Sequence, residues 1–316
     1  MKPLLYVRCR KVEVIIMKIE YRNRYIQNLY ACLHTLSGKC DCCNEQQADC
    51  EEIVRTSYPV KVREQDRYEH YLMLNPNNAS PGSMLKTYSQ FQSVLNQALE
   101  RMAIECFRIT RADLCFNSDD LHDYELFKKL NRLLICCLAD AYNIKNCYQT
   151  ADLWSHKSLS VAVKNDVMEA ENYDKSIENP NVETKNRLEF RSKRINGTLQ
   201  DEFLKKWFVR LDKALDHFEN VQKRYNQELY KLWANDKARS QKEQVYTSLT
   251  AFLLMYRDCI YTRKQLVELL ELIGVQNPKR TAKNFKDRHS IEFYSRTDLQ
   301  LIIAAIKEAT KKYFNN

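Results

Sequence analysis

Four glycines and six prolines in 316 residues leave this chain few places to turn sharply. Glycine supplies the positive-φ conformations that tight turns and phosphate-cradling loops need. Their scarcity argues against long flexible linkers, and neither GxGxxG nor GxxxxGK[ST] occurs anywhere. A Rossmann fingerprint and a mononucleotide-hydrolysing core are therefore excluded. What remains is a chain of ordered elements joined by polar turns. Hydrophobic residues make up 44% and charged residues 29%, which predicts a soluble protein with a real core, long enough for two domains. No apolar run approaches the roughly 20 residues of a membrane span, and the N-terminus has no long apolar signal region. A cytoplasmic protein is expected, with the twelve cysteines as reduced, mostly buried thiols.

Residues 1–198 read as mixed α and β. Strand-like runs fill Leu4 to Tyr21, helical spacing fills Met84 to Arg108, and "FRITRADLCFN" alternates with period two. "SDDLHDYELFKKLNRLLICCLADAY" reads as an amphipathic helix capped by Ser118 or Asp119. Further strands fall within Ser158 to Lys175 and Arg187 to Arg194. From Leu199 onward the strand signal stops and apolar residues recur every three or four positions. Thr262 with Gln265 suggests a capping box, Gly274 a helix stop, and a last helix spans about Thr297 to Tyr313. The expected architecture is α+β: an antiparallel-sheet domain with flanking helices over 1–198, then an all-α domain over 199–316.

Charge divides the same way. Residues 1–184 hold 23 Lys and Arg against 25 Asp and Glu, whereas residues 185–316 hold 27 against 16. A basic C-terminal third predicts a phosphate-rich partner, because neutralising phosphates is the main source of nucleic-acid affinity. A solvated helical surface is the plainer alternative. "TRKQLVELLELIGVQNPKRTAKNFK" fits a helix-turn-helix with Gly274 at the turn, its Lys279, Arg280, Lys283 and Lys286 facing phosphates. An ordinary helical hairpin reads the same.

On the strands, charge collects on one face. Glu169, Glu171, Tyr173 and Lys175 alternate, as do Arg187, Glu189, Arg191 and Lys193, and Asp113 stands two residues from Arg111. Were these strands neighbours, they would present a tyrosine among carboxylates and cations. Such a set suits attack by tyrosine on a phosphodiester. A phenol with a pKa near about 10 needs activation, carboxylates can hold Mg²⁺ or Mn²⁺ as a Lewis acid, and lysine and arginine can clamp the phosphate. The candidate set is Tyr173, Lys175, Asp113, Glu178 and Glu189, with Arg111, Arg187 and Arg191 as phosphate contacts. A charged face that is only solvated sheet surface is the alternative.

"ITRADLCFN", "NYDKSIE" and "NRLEFRSKR" together resemble, in order, the pattern of rolling-circle replication initiators of plasmids and phages, including filamentous-phage gene II proteins and related relaxases of conjugative transposons. The likeness covers about residues 105–195: Arg111-Ala112-Asp113, then Tyr173-Asp174-Lys175 with Glu178, then Arg187-Leu188-Glu189. It implies an origin-specific DNA nickase. Tyr173 would be the nucleophile that keeps the 5′ end as a phosphotyrosine ester, Asp113, Glu178 and Glu189 would hold Mg²⁺ or Mn²⁺, and Lys175 would contact the phosphate. Partners implied are double- and single-stranded origin DNA in a bacterial host and the host helicase and polymerase; a homodimer would suit a palindromic origin. Tyr148, Tyr21 and Tyr25 are alternative nucleophiles. A conjugative relaxase and a non-catalytic DNA-binding regulator are alternative functions. The six histidines form no His-x-His pair, so the metal site would rest on carboxylates. Cys32, His34, Cys40, Cys42, Cys43 and Cys50 fit no common zinc spacing and read as a cysteine-rich loop.

Overall fold

Alternation in "FRITRADLCFN" becomes β4 (Phe107–Ser118), near the centre of an eight-stranded antiparallel sheet. The computed structural model describes residues 29–40, 54–61, 68–79, 84–104, 106–118, 123–145, 147–149, 159–178, 186–238 and 248–316. Its other strands are β1 (Leu29–Cys40), β2 (Val54–Lys61), β3 (Tyr68–Leu74), β5 (Cys147–Gln149), β6 (Leu159–Lys164), β7 (Met168–Asp174) and β8 (Asn186–Lys193). The spatial order is β2-β3-β1-β4-β8-β7-β6-β5. The protein is thus α+β, as expected. The strands expected over Leu4 to Tyr21 lie outside the described residues, as do Tyr21, Tyr25, Cys42, Cys43 and Cys50.

One sheet face is apolar. Ala112, Leu114 and Phe116 of β4, Leu188 and Phe190 of β8, and Met168 and Ala170 of β7 are all buried in the core. Helix α1 (Tyr88–Arg101) precedes β4, and α2 (Asp123–Ala141) packs across β6, β7 and β8. A single helical turn, α3 (Lys175–Glu178), follows β7. After β8 a wide turn over Asp201–Lys206 leads into α4 (Trp207–Asp216), then α5 (Phe218–Ala238). Trp207 fastens α4 to the sheet: its ring stacks on Phe190 at 4.3 Å and its Nε1 donates to Ser192 Oγ at 2.7 Å.

The remaining helices are α6 (Leu249–Met255), α7 (Arg263–Ile273), α8 (Pro278–His289) and α9 (Arg296–Asn315). Helix α9 starts with a full capping box, Ser295 with Asp298. At α7 the cap is only half formed: Thr262 accepts from the Gln265 backbone, while the Gln265 side chain accepts from Tyr261 N instead. Gly274 ends α7 at φ 86°, in the left-handed region. The sheet core runs across residue 198, taking in Phe203, Trp207, Leu211, Val221 and, from α9, Ile302, Ile306 and Phe314. A second core, of Leu229, Phe252, Leu266, Leu270, Phe285 and Ile291 among others, joins α5, α6, α7 and α8. No described helix is long and apolar enough to cross a membrane.

Two register shifts kink β1 against β4, between Leu33 and Thr35 and between Ser37 and Gly38. At the second, glycine is required by space. A Cβ on Gly38 would lie 2.5 Å from the Arg108 carbonyl oxygen and 2.6 Å from the Phe107 ring. Gly38→Ala is expected to destabilise the fold by about 1–3 kcal/mol through overpacking against backbone, measured as a lower urea midpoint with an unchanged m-value.

Candidate active site

Three adjacent strands build the site. In the register of β4, β8 and β7, Asp113 pairs with Arg191, Cys115 with Glu189, and Asn117 with Arg187. On the other side of β8, Glu169 pairs with Arg191, Glu171 with Glu189, and Tyr173 with Arg187. Side chains alternate across a sheet, so all of these share the face opposite the apolar core. The strands that sequence reasoning needed as neighbours are neighbours.

Arg191 is the hub of this face. Its guanidinium reaches Glu169 at 2.6 Å, Glu171 at 2.7 Å, Glu189 at 2.7 Å and Asp113 at 3.4 Å. Arg111 holds Asp113 through a two-point contact at 2.9 and 2.8 Å. Lys193 adds a 2.8 Å pair with Glu169. Burial raises the Asp113 carboxyl above its usual range despite these arginines. Glu169 and Glu171 hydrogen-bond to each other and divide their protons. Burial and that bond push Glu171 up to about 8, while against its own burial the bond, Lys193 and Arg191 hold Glu169 down at about 2.

Glu189, only 2% exposed, is the second centre. Its Oε2 accepts from the Tyr173 hydroxyl at 2.9 Å and from the Cys115 thiol at 3.2 Å, and its Oε1 from Arg191. Burial would raise its carboxyl, but Arg191, then His34, the Cys115 bond and Arg187 outweigh that and hold it at about 2. Tyr173 is 5% exposed. Burial and the adjacent Glu189 and Cys115 push its phenol well above the ordinary tyrosine value, so the resting hydroxyl is neutral. Arg187, equally buried, donates Nε to Asn117 Oδ1 at 2.7 Å, while its Nη1 has no hydrogen-bond partner among the described residues.

Several expected residues land elsewhere. Lys175 does not continue the Glu169-Glu171-Tyr173 face, because the strand stops at Asp174, whose Oδ1 accepts from the Ser176 backbone and hydroxyl and starts α3. The Lys175 Nζ still stands 5.8 Å from the Tyr173 ring centre. Glu178 ends α3, with its side chain outside the described residues. Tyr148 lies on β5 opposite Ala162, its side chain likewise outside. Lys279, Arg280, Lys283 and Lys286 are exposed on α8, away from the sheet cluster in sequence and in core. Cys32, His34 and Cys40 belong to strand β1, not to a loop.

Glu169, Glu171, Cys115, Asn117 and His34 were missing from the candidate set. Period two alone marked the first four, since each lies two or four residues from a chosen one on its own strand. His34 had no such signal: the β1 kink between Leu33 and Thr35 re-aims it. Of the ligand set expected for Mg²⁺ or Mn²⁺, the side chains of Asp113 and Glu189 are described and that of Glu178 is not. Asp113 and Glu189 both give oxygens to Arg191. Among the described residues no group of three or more His, Cys, Asp or Glu is placed to hold a metal ion.

No family model and no curated protein sequence matches the chain. Among solved structures, a rolling-circle replication initiator protein from Geobacillus stearothermophilus aligns with 52% of this chain and 74% of its own, at 13% identity and a TM-score of 0.28. It is a distant structural neighbour, and a likeness at that level carries no argument about function.

Two outcomes test the cluster itself. Arg191→Met is expected to cost about 3–5 kcal/mol, because it leaves buried carboxylates facing one another without their cation, read by chemical denaturation. The raised Glu171 pKa means that the native state holds a proton that the unfolded chain releases above the ordinary value of 4.5. Its contribution is therefore complete below that value and lost as pH rises towards about 8, with a slope of up to about 1.4 kcal/mol per pH unit. Glu171→Gln should flatten the stability profile in that window, and an unchanged slope would assign the proton elsewhere.

Proposed function

We propose that the protein is a DNA strand nickase that starts rolling-circle replication of a plasmid or phage, with Tyr173 as the nucleophile. The observation that carries this reading is the Tyr173–Glu189 hydrogen bond at 2.9 Å beside Arg187, on a face assembled from the three motifs whose order resembles such initiators. In the reaction, Tyr173 Oη attacks phosphorus as the P–O3′ bond breaks. The phenolic proton passes to Glu189, the 5′-phosphate stays on the tyrosine, and the departing 3′-oxygen takes a proton from solvent or from Lys175. Religation is the reverse.

The resting state is poised against this. Glu189 at about 2 is a poor base and the Tyr173 phenol is held neutral. A phosphodiester that drew Arg191 away from Glu189 would remove the largest charge holding that carboxyl down, so substrate itself would create the base. Arg187 supplies a buried cation to offset charge developing on the phosphate oxygens. Basic α8 would position the duplex without reading its sequence. No step here is routed through a metal, because the described carboxylates are engaged by arginine.

The burial of Tyr173 favours a second reading, a DNA-binding regulator built on the same sheet without the reaction. Covalent capture separates the two. Wild type and Tyr173→Phe are incubated with supercoiled plasmid carrying the cognate origin, in Mn²⁺ or EDTA. A protein-linked nicked product lost in the variant is expected; specific origin binding with no adduct from either protein would establish the regulator. Glu189→Gln is expected to lower the adduct rate by about 10²–10⁴-fold, the usual worth of a general base, while DNA affinity stays unchanged.

A further inference from the structure

A cavity of 220 Å³ opens between α2, the Arg257–Cys259 turn and the link from α8 to α9. Lys128, Lys129 and Arg132 line it from α2, and Arg257 from the turn, against the carboxylates of Asp258 and Glu292. Four basic side chains thus meet two carboxylates. Both anions act on Lys129, and Asp258 also acts on Arg132. Asp258 is exposed and 4.0 Å from Arg132, which is only 4% exposed. Glu292 offers Lys129 its backbone oxygen, at 3.3 Å, while its carboxylate accepts from Tyr294. Burial pulls the Lys129 ammonium down to about 8, so an incoming anion would offset a desolvation cost already borne by the fold.

Size and donors identify the anion. Whole small-molecule ligands occupy pockets of about 300–1,000 Å³, so this cavity suits one oxyanion. Arginine forks with lysine beside them match phosphate geometry. The lining also includes His289 and Ser290, at the end of α8. That helix carries Lys279, Arg280, Lys283 and Lys286 on its exposed side, and its 12 residues span about 18 Å. A duplex lying along α8 would bring successive phosphates, spaced about 3.4 Å per strand along its axis, up to the cavity mouth.

We propose that this cavity takes a single backbone phosphate of duplex DNA lying along α8, so that α2 on the sheet and α8 in the second core grip the same duplex. The proposal rests on the DNA-binding reading above. It is tested on the full chain by fluorescence anisotropy with a labelled duplex over a series of KCl concentrations. The proteins are wild type, Lys128→Gln/Arg257→Gln, Arg257→Gln alone in case the double variant folds poorly, and Lys311→Gln as an exposed lysine outside the cavity.

The double variant is expected to bind roughly tenfold more weakly. Its plot of log affinity against log salt should be shallower by about 0.9, one phosphate contact, while Lys311→Gln keeps the wild-type slope. Wild-type affinity and slope in the double variant would overturn the cavity assignment and leave DNA binding standing. An equal loss in Lys311→Gln would also overturn it, by showing a diffuse charge effect. Failure of wild type to bind DNA at any salt would remove the underlying reading as well. Inorganic phosphate is titrated in parallel by NMR. Phosphate binding that the double variant loses without any loss of DNA affinity would make free phosphate the occupant and overturn the DNA assignment.

Discussion

The packing of Arg191 against four carboxylates is the interaction on which the rest of the sheet face depends. Charges this poorly solvated are costly to bury, and only close pairing with good geometry offsets the loss of water. No single strand can provide that geometry. Asp113 comes from β4, Glu189 from β8 with the arginine, and Glu169 and Glu171 from β7. A slip of one residue would turn any of these strands over, burying carboxylates in the apolar core, so the cluster and the core specify the same register from opposite faces.

The cluster also sets the electrical character of the face. Arg111, Arg187, Arg191 and Lys193 stand against Asp113, Glu169, Glu171 and Glu189, and Glu171 keeps its proton up to about pH 8. Near neutrality four cations therefore meet three anions. The same arginine that stabilises the resting sheet suppresses the basicity of Glu189. In the proposed reaction, stability and reactivity would be coupled through that one guanidinium.

On the apolar face, Trp207 and Phe190 tie the helices after residue 198 to β8, while Ser192 links Trp207 to Glu202 through its hydroxyl. The candidate site thus sits on a strand clamped from behind by the first C-terminal helix. The second core, over α5 to α8, carries the exposed basic helix and touches the sheet layer near the 220 Å³ cavity.

Period-two alternation in "FRITRADLCFN" and "NRLEFRSKR", together with three- and four-residue apolar spacing after Leu199, was enough to name the α+β class, the central strands and most helices, because those patterns are imposed by the geometry of each element alone. It was also enough to place Asp113, Glu189 and Tyr173 on polar faces. It could not show that Lys175 leaves the strand, since that turns on a local Asp174 side-chain bond, nor that His34 is re-aimed, since that turns on a mismatch between two strands. Above all it could not show that Arg191 is the cation at the centre of the carboxylates, or that Tyr173 is buried against Glu189. Those facts belong to β4, β8 and β7 lying side by side, and strand order is a property of long-range pairing that no local pattern encodes.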